Sequence, residues 1–267
     1  MQSTLIRRQY DEIIASHYDF DPQSMIGDSL DRALGQVERQ LGENGSLKVL
    51  DVGVGTGRFV EKLRASRAVE PYGLDISQKM IDIACKRIPD LEAAVTDARN
   101  VDAHFPGVSF DLVCTHFLTG FIPLEVLAPE MRGKLRAGSF WSYVGGTLEG
   151  FPILQGKANT RLLRWLFGIR KLEVSAFVDN PANQCHVEAT LERNGFAIRE
   201  CETFRPRAFF NNWKEFLDFA YYGGWLTPFI ESMGLQRAGA VGRAVLNRLF
   251  FPMEDRHAIV IALAQKL

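Results

Sequence analysis

Neither sign of charge is in excess in this chain. Its 267 residues carry 31 lysines and arginines against 32 aspartates and glutamates, a formal net charge of −1. So balanced a chain has no global field drawing it to a polyphosphate or an anionic bilayer, and nucleic acid is not expected as a partner. Cysteine is scarce: the four, at 85, 114, 185 and 201, form no C-x-x-C pair. They read as reduced, mostly buried thiols of a cytoplasmic protein and not as metal ligands or disulfides. Long apolar runs are lacking as well. The greasiest stretch, 216–230, is interrupted by Asp218, Gly223, Gly224 and Pro228, so no stable membrane insertion is expected. The first eight residues are charged with no apolar segment behind them, which reads as the absence of a signal peptide.

What is present is a globular composition, 46% hydrophobic and 24% charged, in a chain long enough for one domain with embellishments. Its most informative segment is Lys48-Val-Leu-Asp-Val-Gly-Val-Gly-Thr-Gly-Arg58. A short buried strand ends in an acid and enters a glycine-rich turn, from which a helix follows. Glycines at 53, 55 and 57 permit a sharp turn and a ligand's close approach to the main chain. A dinucleotide fingerprint, G-x-G-x-x-G, would put glycine at 58, where this chain has arginine, so a nicotinamide-dependent oxidoreductase is disfavoured.

The run Asp51-x-Gly53-x-Gly55-x-Gly57 resembles the first motif of the class I S-adenosylmethionine-dependent methyltransferases. Further elements follow in that family's order. Residues 70–75 read as a second strand ending in Asp75, then Ser77 as helix cap and a helix over 78–87 stopped by Pro89. A third strand over 91–95 leads to Asp97 and Ala98. A fourth over 110–115 leads to His116 and Phe117.

The resemblance implies an α/β fold, a doubly wound and mainly parallel seven-stranded sheet in the order 3-2-1-4-5-7-6, its last strand antiparallel. Strands alternating with helices are consistent with it. The remaining strands fall at 139–144, 196–203 and 257–264, with Asn180 capping a helix before the sixth. Residues 1–45 read as an N-terminal helical cap, with helices over 4–17 and 28–41. The cofactor-binding core covers 46–204 with 257–267. Within it 145–179 is an inserted lid, bearing an amphipathic run with Leu162, Leu163, Leu166 and Phe167 on one side among Arg161, Arg164, Arg170 and Lys171. Residues 205–256 form an aromatic-rich helical insertion, a cap for the substrate.

The implied cofactor is S-adenosyl-L-methionine, leaving as S-adenosyl-L-homocysteine, held by Tyr10, Tyr18, Asp51, Gly53, Gly55, Gly57, Asp75, Ile76, Met80, Asp97, Ala98 and Thr115. Asp75 would take the ribose hydroxyls, Asp97 the adenine amino group, and Asp51 the turn or the methionine ammonium. Methyl transfer from a sulfonium is an in-line displacement, so positioning supplies much of the acceleration, and a base is needed only if the acceptor must lose a proton. His116, just past the fourth strand, is the first candidate base and His17, beside Tyr18, the second. The alternative for His116 is that its ring hydrogen-bonds locally or stacks on the adenine region. His186 reads as a cap contact and His257 as a solvent-facing residue opening the last strand. Phe117, Trp213, Tyr221, Tyr222 and Trp225 are expected to wall an apolar substrate pocket, or else to form only core. No carboxylate cluster follows the fourth strand, so no metal is expected. The acceptor is a small, largely apolar or aromatic metabolite, methylated on O, N or C. A binding or regulatory protein that keeps the cofactor pocket without turnover is the alternative.

Overall fold

The structure, a computed structural model, describes residues 2–41, 45–160, 178–232 and 234–267. Its strands are β1 (Leu47–Val52), β2 (Val69–Asp75), β3 (Glu92–Val95), β4 (Phe110–His116), β5 (Leu135–Gly146), β6 (Phe196–Phe204), β7 (Arg207–Phe210), β8 (Met253–Arg256) and β9 (Ile259–Lys266). Seven form one sheet in the order β3-β2-β1-β4-β5-β9-β6. Strands β1 to β5 pair in parallel, and β9 runs antiparallel to both β5 and β6. This is the sheet order the sequence resemblance implied.

The near-continuous apolar strands follow from burial on both faces. Successive side chains alternate, so Leu50, Val113, Trp141, Tyr143, Val260 and Ala262 enter one core with Leu124, Leu127, Met131, Val187 and Leu191 of the helices Leu124–Lys134 and Gln184–Arg193. Their neighbours Val49, Leu112, Cys114, Val144, Ile259 and Ile261 enter the other. There they meet Ile26, Leu30, Ala33 and Val37 of the helix Met25–Gln40 and Phe59 and Leu63 of the helix Arg58–Ser66. The helix Gln78–Arg87 starts at Ser77, whose hydroxyl accepts the Met80 N–H at 3.1 Å.

Three local expectations are corrected. The first helix is an α-helix only over Gln2–Gln9 and continues as a π-turn over Tyr10–Ile14. The cap expected at Asn180 is taken by Asn183, whose carboxamide accepts the His186 N–H at 3.0 Å. The aromatic insertion is not wholly helical: β7 and β8 pair antiparallel within it. There Phe210, Trp213, Phe216, Phe219, Tyr221, Phe250 and Met253 pack into a separate apolar cluster, joined by Met25 and Phe151. The amphipathic run at 161–171 lies outside the described residues. Among the described residues no helix is long and apolar enough to cross a membrane.

Candidate functional site

In a parallel sheet the loops after the carboxyl ends of the strands share one edge, and ligands bind there. The register puts Asp75 level with Val95 and His116 level with Val144. The glycine turn closes this edge. Gly53, Gly55 and Gly57 have φ of +78°, +53° and +82°, which side-chain-bearing residues rarely adopt. A Cβ at Gly53 would stand 3.3 Å from Leu118, and one at Gly55 3.5 Å from the Tyr18 ring. Gly57 serves otherwise. A Cβ there would come within 3.0 Å of Ile88, so its bareness lets the following helix pack on its neighbour.

Asp75 reaches back to the turn: its carboxylate accepts the Gly55 N–H at 3.0 Å and the Ser77 N–H at 2.9 Å. Burial pushes its pKa up to about 6, against the pull of these backbone donors. A carboxylate has about four acceptor positions, so capacity for a ligand hydroxyl remains. Asp97 lines the same cleft of about 630 Å³, with Gly53, Gly55, Asp75, Ile76, Ala98 and Phe117. Its oxygens accept Arg99 Nε, Arg99 Nη2 and Ser3 Oγ at 2.8–2.9 Å. Burial would raise its pKa, but the Arg99 guanidinium holds it below the usual carboxylate range.

The two Tyr-Asp pairs of the N-terminal segment tie it to the cleft. Asp11 accepts Ser77 Oγ at 2.6 Å, and Asp19 accepts Thr56 Oγ1 and Arg87 Nη2, each at 2.6 Å. Each aspartate thus pins its segment to a loop at the sheet edge, while Tyr10 and Tyr18 enter the cleft. Desolvation raises both phenols, keeping them neutral. Behind Tyr18, a recess of about 340 Å³ is lined by Asp51, Gly53, Thr56, Arg58 and His116. Asp51 Oδ1 and Arg58 Nη1 are buried there without a hydrogen-bond partner. Burial, then the charge of Asp75, raises the Asp51 carboxyl well above its ordinary value.

Tyr10, Tyr18, Phe117 and Phe121 are party walls between this cleft and a second chamber of about 820 Å³. That chamber is lined further by Thr147, Phe151, Asn180, Trp225 and His257. Phe117 and Phe151 hold φ of +59° and +53°, which is strained for bulky side chains and draws attention to this wall as functional. The Trp225 ring stands edge-on to Phe117 at 5.3 Å and to His257 at 5.1 Å.

Several expected site residues lie elsewhere. Met80 is fully buried beneath the N-terminal segment with Ile14 and Ala15. Thr115 is buried, its hydroxyl accepting Trp141 Nε1 at 2.9 Å. Trp213 packs on Phe216 and Phe251 in the insertion's cluster, and Tyr221 is buried in the same cluster. The Tyr222 ring lies tilted against His17, which is exposed and bonds Ser16 Oγ at 2.9 Å. None of these lines the cleft or the chamber. Met80, Thr115, Trp213 and Tyr221 are turned into packed cores, which neither nearness to a motif nor aromatic density reveals.

His116 does border the cleft, with Nε2 at 3.0 Å from Ser142 Oγ and the Phe59 ring edge-on at 4.3 Å. Burial pushes its pKa down to about 3, so the ring is neutral and a weak base. His257 was expected to face solvent, and the structure corrects this. It is 6% exposed, and burial pushes its pKa, too, down to about 3. In the unfolded chain both rings bind protons near pH 6.5, which the native state does not. Their contribution to stability is therefore present above about pH 6.5 and lost as pH falls toward 3. Asp75, raised from 3.8 to about 6, works the opposite way between those values. Asp51, also raised by burial, works with Asp75, so two imidazoles stand against two carboxyls and the imidazole share is read by difference. Between pH 7.5 and pH 5 the parent's thermal stability is expected to change more unfavourably than that of a His257→Leu protein, and an equal change would contradict the burial of that ring. Among the described residues no group of three His, Cys, Asp or Glu side chains forms a metal site.

Comparison with known proteins agrees with this geometry. A family model described as a methyltransferase domain matches residues 49–138. The demethylmenaquinone methyltransferase of Thermotoga maritima is 44% identical over 71 residues, 26% of this chain and 30% of that protein. The dTDP-4-amino-2,3,4,6-tetradeoxy-D-glucose N,N-dimethyltransferase of Saccharopolyspora spinosa is 36% identical over 113 residues, 39% of this chain and 44% of that one. The chain thus spans less than half the length of these curated relatives. In fold it is similar to the YcgJ protein of Bacillus subtilis, with a TM-score of 0.60 at 17% identity, covering 90% of this chain and 98% of the other. It is similar also to a Haemonchus contortus phosphoethanolamine N-methyltransferase crystallised with S-adenosyl-L-methionine, with a TM-score of 0.52 at 17% identity, covering 88% and 52%.

Proposed function

We propose that the chain, which matches a methyltransferase domain over residues 49–138, is a class I S-adenosylmethionine-dependent methyltransferase that transfers a methyl group to a small, largely apolar or aromatic metabolite seated in the second chamber. The observation that carries this reading is the pair of adjoining spaces. One gathers Gly53, Gly55, Asp75 and Asp97, the other is walled by aromatic rings, and four side chains are common to both. When bound, S-adenosylmethionine supplies a methyl carbon activated by a positive sulfur. The protein's task is positioning and exclusion of water.

The unpartnered polar atoms fit that donor. An uncompensated buried carboxylate is costly, and Asp51 Oδ1 beside the glycine turn suits the methionine ammonium. Arg58 Nη1, in the same recess, suits the methionine carboxylate. Arg58 was read in the sequence only as the residue that breaks a dinucleotide pattern; no sequence signal marked it as a ligand. In this reading Asp75 would take the ribose hydroxyls, and Ile76 and Ala98, which line the same cleft, would offer an apolar wall to the base.

Calorimetric titration with S-adenosylhomocysteine tests the reading: micromolar binding is expected, and neither heat nor a thermal shift would overturn it. Asp51→Asn is expected to weaken that ligand by roughly tenfold to a hundredfold, the loss of one charge-assisted hydrogen bond. Methylthioadenosine, which lacks the amino-acid end, is expected to bind Asp51→Asn and the parent alike. Equal losses for both ligands would place Asp51 in the turn's architecture and not against the ammonium.

A further inference from the structure

We infer that His257 is the residue that meets the acceptor, taking the proton of its attacking hydroxyl, and that the acceptor is accordingly a neutral phenol or enol and not an amine; the inference rests on the methyl-transfer reading above.

The position comes from topology. Strand β9 is antiparallel to its neighbours, so its beginning, not its end, lies at the ligand-binding edge, where Ile259 pairs with Gly146 at the end of β5. His257, two residues earlier, is fixed there by its N–H to Pro206 O at 3.0 Å. Its ring stacks on Phe151 at 4.7 Å with 17° between planes and meets the edge of Trp225. Two glycines make the space it occupies. A Cβ at Gly150 would fall 2.2 Å from Nδ1, and one at Gly146 would fall 2.9 Å from Nε2 and 3.3 Å from Asn180 Nδ2. Nε2 and Asn180 therefore flank one patch of bare backbone on the chamber wall.

The ring is held firmly yet incompletely satisfied. Nδ1 is buried without a partner among the described residues, and Nε2 lies against the bare backbone at Gly146. With the neutral ring's hydrogen on Nδ1, Nε2 presents its lone pair to the chamber, where an acceptor hydroxyl can donate to it. His116 lacks this freedom, its Nε2 being engaged by Ser142.

The chamber's chemistry selects the acceptor. No Asp, Glu, Lys or Arg is among its described lining residues; its polar groups are His257, Asn180, Thr147 and two neutral phenols. An alkylamine arrives as an ammonium with a pKa of about 10 and must lose a proton before its lone pair is available. Neither a carboxylate nor a strong base is there to receive it. A hydroxyl differs, because its proton becomes far more acidic as the oxygen bonds to carbon, so a weak base suffices. The oxygen forms a bond to the methyl carbon, and the carbon–sulfur bond breaks with its electron pair left on sulfur. The hydroxyl proton passes to Nε2, which later yields it to water.

The test uses the full chain saturated with S-adenosylhomocysteine for binding and supplied with S-adenosylmethionine for turnover. The probes are umbelliferone and naringenin as phenols, herniarin as the methyl ether of the first, and tryptamine as an amine. The parent is expected to bind the phenols and methylate their oxygen, with herniarin and tryptamine about tenfold weaker or more. His257→Leu is expected to weaken umbelliferone by about tenfold and to cut turnover by roughly a hundredfold or more. His257→Gln, which keeps a polar contact but cannot take the proton, is expected to hold umbelliferone within about threefold and still lose turnover. Unchanged S-adenosylhomocysteine affinity shows that both variants are folded. Preference for tryptamine, parent-like turnover in both variants, or failure of every phenol while S-adenosylhomocysteine binds would each overturn the inference and leave the cofactor reading standing. A parent that fails to bind S-adenosylhomocysteine would bring down that reading and this inference with it.

Discussion

Asp75→Ala is expected to weaken S-adenosylhomocysteine binding by a hundredfold or more. Two hydroxyl donors on a buried carboxylate amount to charge-assisted bonds of about 1.5–3 kcal/mol each, and roughly 3 kcal/mol already corresponds to a factor of more than a hundred. The substitution also removes the acceptor for the Gly55 and Ser77 N–H groups, so the turn loses a tie that shapes it. Asp97→Ala is expected to cost less than about tenfold, because Arg99 and Ser3 already occupy that carboxylate and a ligand gains little there beyond what they forgo. The pH dependence follows from the same burial. The Asp75 carboxyl is raised to about 6, so it is ionised and able to accept hydroxyl donors above that value and protonated below it. Affinity should therefore fall as pH drops from 7.5 to 5, and the Asp75→Ala variant should lose most of that dependence. Calorimetry at the two pH values measures both effects; an Asp75→Ala protein that binds like the parent would remove Asp75 from the site.

The glycine turn and Asp75 were legible in the sequence because their requirements are local. A positive φ demands glycine, an acid at a strand tip can grip a sugar, and a serine cap announces the helix that follows. The strand pattern was legible for a related reason, since burial on both faces makes the parallel strands uniformly apolar. The boundaries of the helix at 78–87 could even be placed to the residue, with Ser77 at one end and Pro89 beyond the other.

What stayed hidden depends on partners distant in the chain. Thr115 and Met80 sit beside motif residues, yet Trp141 claims the first and the N-terminal segment covers the second. Asn180 looked like a cap because proline follows it; only the fold shows Asn183 in that role, leaving Asn180 on the chamber wall. His257 was misjudged because nothing local marks a strand-opening ring as buried; Phe151 and Trp225, which cover it, come from distant parts of the chain. Gly146 and Gly150 were the available signal, two small residues after the fifth strand. Their meaning requires knowing which ring, more than a hundred positions later, fills the space they leave.

Trp141→Ala is expected to produce the largest loss of stability without acting on the ligand directly. The indole is fully buried in the central strand β5, against Tyr143 and Phe196. Emptying so large a volume in a packed core costs about 3–5 kcal/mol, because the surroundings collapse only partly into the cavity. The Thr115 hydroxyl also loses the indole N–H it accepts at 2.9 Å, and an orphaned buried polar group adds to the cost. A loss of that size is a large share of the roughly 5–15 kcal/mol that holds a domain folded, so the urea midpoint should drop sharply. The glycine turn, Asp75 and Asp51 stand on β1 and β2, which β4 separates from β5, so the folded fraction should keep S-adenosylhomocysteine affinity within a few-fold. The two substitutions thus separate scaffold from site: Asp75→Ala removes binding from a folded chain, whereas Trp141→Ala removes folding from a chain that still binds. A Trp141→Ala protein with parental stability in urea would mean that this side of the sheet is not the packed core described here.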